Sequence, residues 1–156
     1  MMSDLSFQRA VEQIAEIAAS HCPGLQAIKS AHRRQIATKS GKVWRGSVDL
    51  DAALAARYPK ANRWDYGIGI HRDHAEHAIW VEFHPASSLH IEEVLKKLTW
   101  LKAWLNSSGR PLRAMTRRYV WVATGKVTVT RDSRRMIKLA QEGLHFAGSR
   151  LDPAEL

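Results

Sequence analysis

Apolar residues recur at helical spacing over residues 4–20, where Phe7, Ala10, Val11, Ile14, Ile17 and Ala18 share one face and Pro23-Gly24 stops the run. Ser40-Gly41 predicts a turn into a short strand, Val43 to Val48, and Asp49 or Asp51 caps a short helix through Ala52–Ala56 that Pro59 ends. Trp64–Ile70 and Ala78–His84 alternate as two strands of a hairpin around the polar run His71–His77. A long helix over 88–105 follows, with Ile91, Val94, Leu95, Leu98, Leu101 and Leu105 on its apolar face and Glu92 and Glu93 in the first turn, where the helix dipole favours them. Tyr119–Ala123 and Lys126–Thr130 predict a second hairpin about Thr124-Gly125. Asp132 or Ser133 then caps a last helix carrying Met136, Ala140, Leu144 and Ala147 to Gly148.

This order predicts an α/β (α+β) fold: a mixed central sheet flanked by helices, α-β-β-β-α-β with an added C-terminal strand and helix. A length of 156 residues and an apolar share of 45% suit one folded domain over 1–156 rather than a disordered chain. The single cysteine, Cys22, excludes an internal disulfide framework and a Cys-rich zinc module. With no apolar run long enough to span a bilayer and no basic, apolar leader after Met1-Met2-Ser3-Asp4, the expectation is a cytoplasmic protein with no membrane partner.

Alternation divides the central hairpin into two faces. Tyr66, Ile68, Ile70, Ile79, Val81 and Phe83 make an apolar face, whereas Asp65, Gly67, Gly69, Trp80, Glu82 and His84 make the other. If the turn is centred, Asp65 lies opposite Glu82, and a one-residue slip would move an apolar set off the core. Facing carboxylates repel unless a cation sits between them. Gly67 and Gly69 leave room there for a ligand or for closely packed backbone. An arginine such as Arg63 could also neutralise Glu82 in a purely structural role.

The stretch Arg63-Trp64-Asp65-Tyr66-Gly67-Ile68-Gly69-Ile70, followed by Ala78-Ile79-Trp80-Val81-Glu82-Phe83-His84, resembles the PD-(D/E)XK nuclease-like superfamily. The resemblance covers about residues 4–125, including the core order helix, three strands, helix, strand. It implies that Asp65 and Glu82 hold Mg2+ for phosphodiester hydrolysis. His84 stands where that superfamily has lysine, so it would orient the attacking water, or Lys96 or Lys97 on the next helix would reach back. Glu12 or Glu16 would match an extra carboxylate of some members. A degenerate relative that keeps the fold without the reaction is the alternative.

Charge extends this picture. The net charge is +9, concentrated in residues 20–48 (six basic groups, no acidic one) and 107–150 (ten basic, two acidic), whereas 49–106 is nearly balanced. Basic flanks of this kind attract polyanions. Arg33, Arg34, Lys42, Arg45, Arg117 and Arg118 are therefore candidate nucleic-acid contacts, with Trp44 a candidate base-stacking residue. Trp100 and Trp104, one helical turn apart, read as packing residues. His71, His74 and His77 have spacing that could converge on Zn2+, although a solvated polar loop is the reading the composition favours. The functional alternatives are a non-catalytic basic nucleic-acid-binding module or a protein-interaction factor.

Overall fold

The computed structural model describes residues 6–37, 41–130 and 133–156. The predicted start of the first helix, Ser40 of the predicted turn and the candidate cap Asp132 lie outside them. Ser6 caps α1 (Phe7–Glu12) by accepting a hydrogen bond from Arg9 N at 3.1 Å. The helix is shorter than its apolar period, but Phe7, Ala10, Val11, Ile14 and Ile17 are all buried, the last two from the irregular segment after it. β1 (His21–Cys22) and a short α2 (Ser30–Arg33) precede β2 (Trp44–Asp49). Asp49 accepts from Ala52 N at 2.9 Å and so caps α3 (Leu50–Leu54). β3 (Tyr66–Arg72) and β4 (Ala75–Pro85) form the central hairpin, followed by α4 (Ile91–Leu105), α5 (Arg110–Arg113) and β5 (Thr116–Thr124). Ser133 caps α6 (Arg134–Gln141), and β6 (Leu144–Phe146) completes the sheet.

The six strands lie in sequence order in one mixed sheet. β1 to β4 are antiparallel neighbours, whereas β5 runs parallel to β4 and β6 parallel to β5. This is the predicted mixed sheet flanked by helices, with the C-terminal additions in the reverse order, helix α6 and then strand β6. Residues 126–130 form no strand, because the free edge of β5 is taken by β6, with Tyr119 opposite Leu144 and Trp121 opposite Phe146. The last helix therefore stops early. Gly143, at φ +91°, adopts a left-handed conformation that glycine tolerates and that breaks the helix after Gln141.

Both sheet faces are buried. One packs Trp80 and Trp121 against Phe7, Val94, Leu98 and Trp104 from α1 and α4. The other packs Ile68, Ile70, Ile79, Val81, Phe83, Val120 and Val122 under Ile28, Ile36, Leu151 and Leu156. No helix among the described residues is long and apolar enough to cross a membrane.

Candidate functional site

The β3–β4 register places Tyr66 opposite Val81, Gly67 opposite Trp80 and Ile68 opposite Ile79, as a centred turn predicts. The turn is tighter than the predicted seven-residue loop: Arg72 pairs with Ala75, and Asp73 and His74 both have positive φ, 51° and 64°. One rung beyond Tyr66 and Val81, side chains take over from the backbone ladder. Asp65 N–H donates to Glu82 Oε1 at 3.1 Å, and Phe83 N–H donates to Asp65 Oδ2 at 2.9 Å. Each carboxylate thus caps the other strand, and the pair is fixed in position.

Glu82 has no solvent exposure, so its environment must supply compensation. Lys97 from α4 does so, with Nζ 2.5 Å from Glu82 Oε2 and 3.7 Å from Asp65 Oδ1. These two oxygens are therefore no more than about 6 Å apart, a range in which carboxylates interact strongly and can share a cation. His84 adds Nδ1 at 3.3 Å from Glu82 Oε2, while its Nε2 lies 2.7 Å from Glu93 Oε2.

Burial and the nearby Glu82 charge push the Asp65 carboxyl up to about 7, against the opposing pull of Lys97. For Lys97, burial works against the charged form, but Glu82 and Asp65 outweigh it and hold the ammonium above its usual value. The hydrogen bond to Glu82, reinforced by Glu93, raises His84 against the effect of its own burial.

Asp65, Glu82, His84 and Lys97 thus meet at one end of the sheet, and the other candidates do not join them. Lys96 is exposed on the far side of the helix. Arg63 does not neutralise Glu82; it pairs with Asp51 at 2.9 Å and donates to Tyr58 O at 2.6 Å. Glu16 accepts from Tyr58 Oη and Trp104 Nε1, and Glu12 accepts from Gln8 at 3.3 Å on the surface. The two strand glycines admit aromatic rings rather than a ligand. A Cβ at Gly67 would lie 2.7 Å from Trp80 Cζ3, and one at Gly69 would lie 2.6 Å from Phe7 Cγ. Trp80 is buried, with Nε1 donating to Thr116 Oγ1.

Segment α2 stands at the same end of the sheet but covers Tyr66 and Phe83, on the face opposite α4. His32 stacks on Phe83 with ring centroids 4.3 Å apart, and its Nδ1 lies 2.8 Å from Tyr66 Oη. Arg33 and Arg34 are exposed next to it. Lys42, Arg45, Arg117 and Arg118 instead belong to the opposite end of the sheet. Trp44, beside Arg45, pairs with Ile70, and Arg117 binds Asp73 in the hairpin turn at 2.9 Å. Trp121, opposite Glu82, is four residues beyond Arg117, about 13 Å along a strand. Trp44 is 5% exposed and packs in the second core, so it offers no face to a base.

The three loop histidines do not converge. Ile70 pairs with His77 and His71 with Glu76, so His71 and His77 project to opposite faces, and His74 sits in the turn. The metal-type cluster among the described residues is His84, His90 and Glu93, whose ligand atoms lie within 4.8 Å of one another. Its visible sequence signal was His90-x-x-Glu93, a one-turn spacing at a helix start, six residues after His84. Compared with family models, curated proteins and solved structures, the chain matches none.

Proposed function

We propose that this chain is a nucleic-acid-binding protein of the PD-(D/E)XK nuclease-like type that hydrolyses phosphodiesters with Mg2+. The observation that carries this reading is the lysine from the helix after β4, placed against both carboxylates at the end of the hairpin. It supplies the cation that His84 does not permanently provide. The order α1, three antiparallel strands β2 to β4, α4 and a parallel β5 supports the same reading.

The donor set suits Mg2+ because it consists of hard carboxylate oxygens already arranged around a positive charge. Asp65 Oδ1 and Glu82 Oε2 would hold the ion, with the Lys97 ammonium shifting off Oε2 toward the substrate. When bound, the metal lowers the pKa of a water and neutralises charge on the phosphate. Lys97 then stabilises developing negative charge on the phosphoryl oxygens. His84 acts as a positioning residue, its Nδ1 fixing the Glu82 carboxylate. Arg33 and Arg34, exposed on α2 at the same end of the sheet, hold the nucleic-acid backbone where it passes around the strand ends.

One observation favours a second reading, a non-catalytic binding module with the same fold. Both Glu82 oxygens already have partners within the chain, as a charge-compensated structural cluster requires. Incubating the full chain with duplex DNA, single-stranded DNA and RNA, with Mg2+ or with chelator, separates the two. Mg2+-dependent cleavage supports hydrolysis; binding without cleavage on any substrate overturns it in favour of the module.

A further inference from the structure

The end of β4 and the start of α4 assemble a second set of donors that the Asp65–Glu82 pair does not use. His84 is the penultimate residue of β4, His90 immediately precedes α4, and Glu93 lies in its first turn. His90 and Glu93, three residues apart, share one side of the helix start. Glu93 Oε2 lies 2.7 Å from His84 Nε2 and 3.2 Å from His90 Nδ1. The two imidazoles meet edge to face with centroids 5.1 Å apart. Little movement is therefore needed to set two ring nitrogens and a carboxylate oxygen around one ion.

The chemistry of this set differs from that of the carboxylate pair. Two imidazole nitrogens and one carboxylate suit Zn2+ and its neighbours, whereas Mg2+ prefers oxygen alone. The other face of His84 adds a second, independent feature. Its Nδ1 lies 3.3 Å from Glu82 Oε2, within ion-pair distance. Glu82 is in turn held by Lys97 and by Asp65 N–H. A carboxylate behind a histidine orients a metal-binding ring and raises its basicity. Without an ion, the Nε2 proton bridges His84 to Glu93; a metal at Nε2 takes that proton's place. Glu93 is 56% exposed, so the outer side is open to a water or substrate group as a further ligand.

We propose that His84 Nε2, His90 Nδ1 and the Glu93 carboxylate form a binding site for a Zn2+-class transition-metal ion. This site is separate from the Asp65–Glu82 pair and does not depend on the hydrolase reading.

The test uses the full chain, stripped with chelator and titrated with Co2+ followed by visible absorption, with Zn2+ then added in competition. The expected result is one tightly bound equivalent of Co2+, displaced by Zn2+. His90→Ala and Glu93→Gln, both at solvent-accessible positions, should each weaken binding by at least about 100-fold, beyond the effect of losing an outer-shell partner. A His71→Ala/His74→Ala control should leave it unchanged. Absence of stoichiometric binding, or binding that survives either His90→Ala or Glu93→Gln, overturns the proposal. Loss in Asp65→Asn with retention in His90→Ala would place the ion at the carboxylate pair and overturns it equally. Because the readout is metal absorption rather than cleavage, its failure is distinguishable from failure of the hydrolase reading.

Discussion

Lys97 Nζ lies 2.5 Å from Glu82 Oε2, so an ammonium group on α4 neutralises a carboxylate with no solvent exposure. Removing one partner of a fully buried pair costs roughly 3–5 kcal/mol, since the other is left charged and uncompensated. Lys97 is partly exposed and Glu82 keeps its bonds to Asp65 N–H and His84. Lys97→Met should therefore destabilise by less, about 2 kcal/mol. Lys96→Met, on the exposed side, should change nothing measurable. Urea titrations with unchanged slope check both, and equal effects at the two lysines would contradict the ion pair.

Gly67 and Gly69 accommodate Trp80 and Phe7. Gly69→Ala should cost about 1–3 kcal/mol through overpacking in a core that cannot yield. At Gly67 the added methyl meets the outer edge of the Trp80 ring, so Trp80→Leu in the same chain should recover part of the loss caused by Gly67→Ala. If the two substitutions simply add in thermal denaturation, the close approach is not the reason for glycine.

His32 offers a pH signature away from the carboxylates. Tyr66 Oη accepts from Lys29 N–H at 3.3 Å and lies 2.8 Å from His32 Nδ1, whose ring is stacked on Phe83. Burial, then the nearby Lys29 charge, lowers the His32 pKa, opposed by Glu82 and Asp49. With the folded value depressed, this histidine's contribution is present above the unfolded value of about 6.5 and is lost as pH falls through the folded one. His32→Phe keeps an aromatic ring against Phe83 but cannot titrate. It should flatten part of the stability decline below about pH 6.5. An NMR titration placing the His32 midpoint above that value would contradict the assignment.

Arg33 and Arg34 are exposed on α2, which covers Tyr66 and Phe83, the strand neighbours of Asp65 and Glu82, on the sheet face opposite α4. Arg33→Ala/Arg34→Ala should weaken binding to duplex DNA. The slope of log K against log salt should fall in magnitude by about 0.9 for each phosphate that is no longer neutralised. Arg117→Ala should have a smaller effect on binding, since its charge is paired with the Asp73 carboxylate, whereas Arg33 Nε meets a neutral carbonyl, Ile28 O, at 3.1 Å. Equal weakening from the two ends of the sheet would contradict an interface centred on α2.

Asp65 and Glu82 were legible as a facing pair because strand alternation and a centred turn leave one register that keeps both apolar sets buried. The choice of Lys97 over Lys96 was also present in the helix period: Lys97 follows Val94 by three residues and precedes Leu101 by four, on the buried side. The two-sided burial of the sheet was not legible. Its second cover comes from residues 25–37 and 151–156, short turns and a brief helix with no sustained period. β6 was hidden for a related reason, since Leu144 and Phe146 continue the apolar pattern of α6 and only the left-handed Gly143 separates them.

Single-turnover cleavage in Mg2+ asks whether Asp65, Glu82 and Lys97 form one hydrolytic site. Wild type, Asp65→Asn and Lys97→Gln are compared, each shown folded by circular dichroism, with Lys96→Gln as control. Wild type and Lys96→Gln should show Mg2+-dependent cleavage, with rates at least about 100-fold lower in the other two. Wild-type rates in Asp65→Asn, or no Mg2+-dependent cleavage in wild type, would contradict a single hydrolytic site.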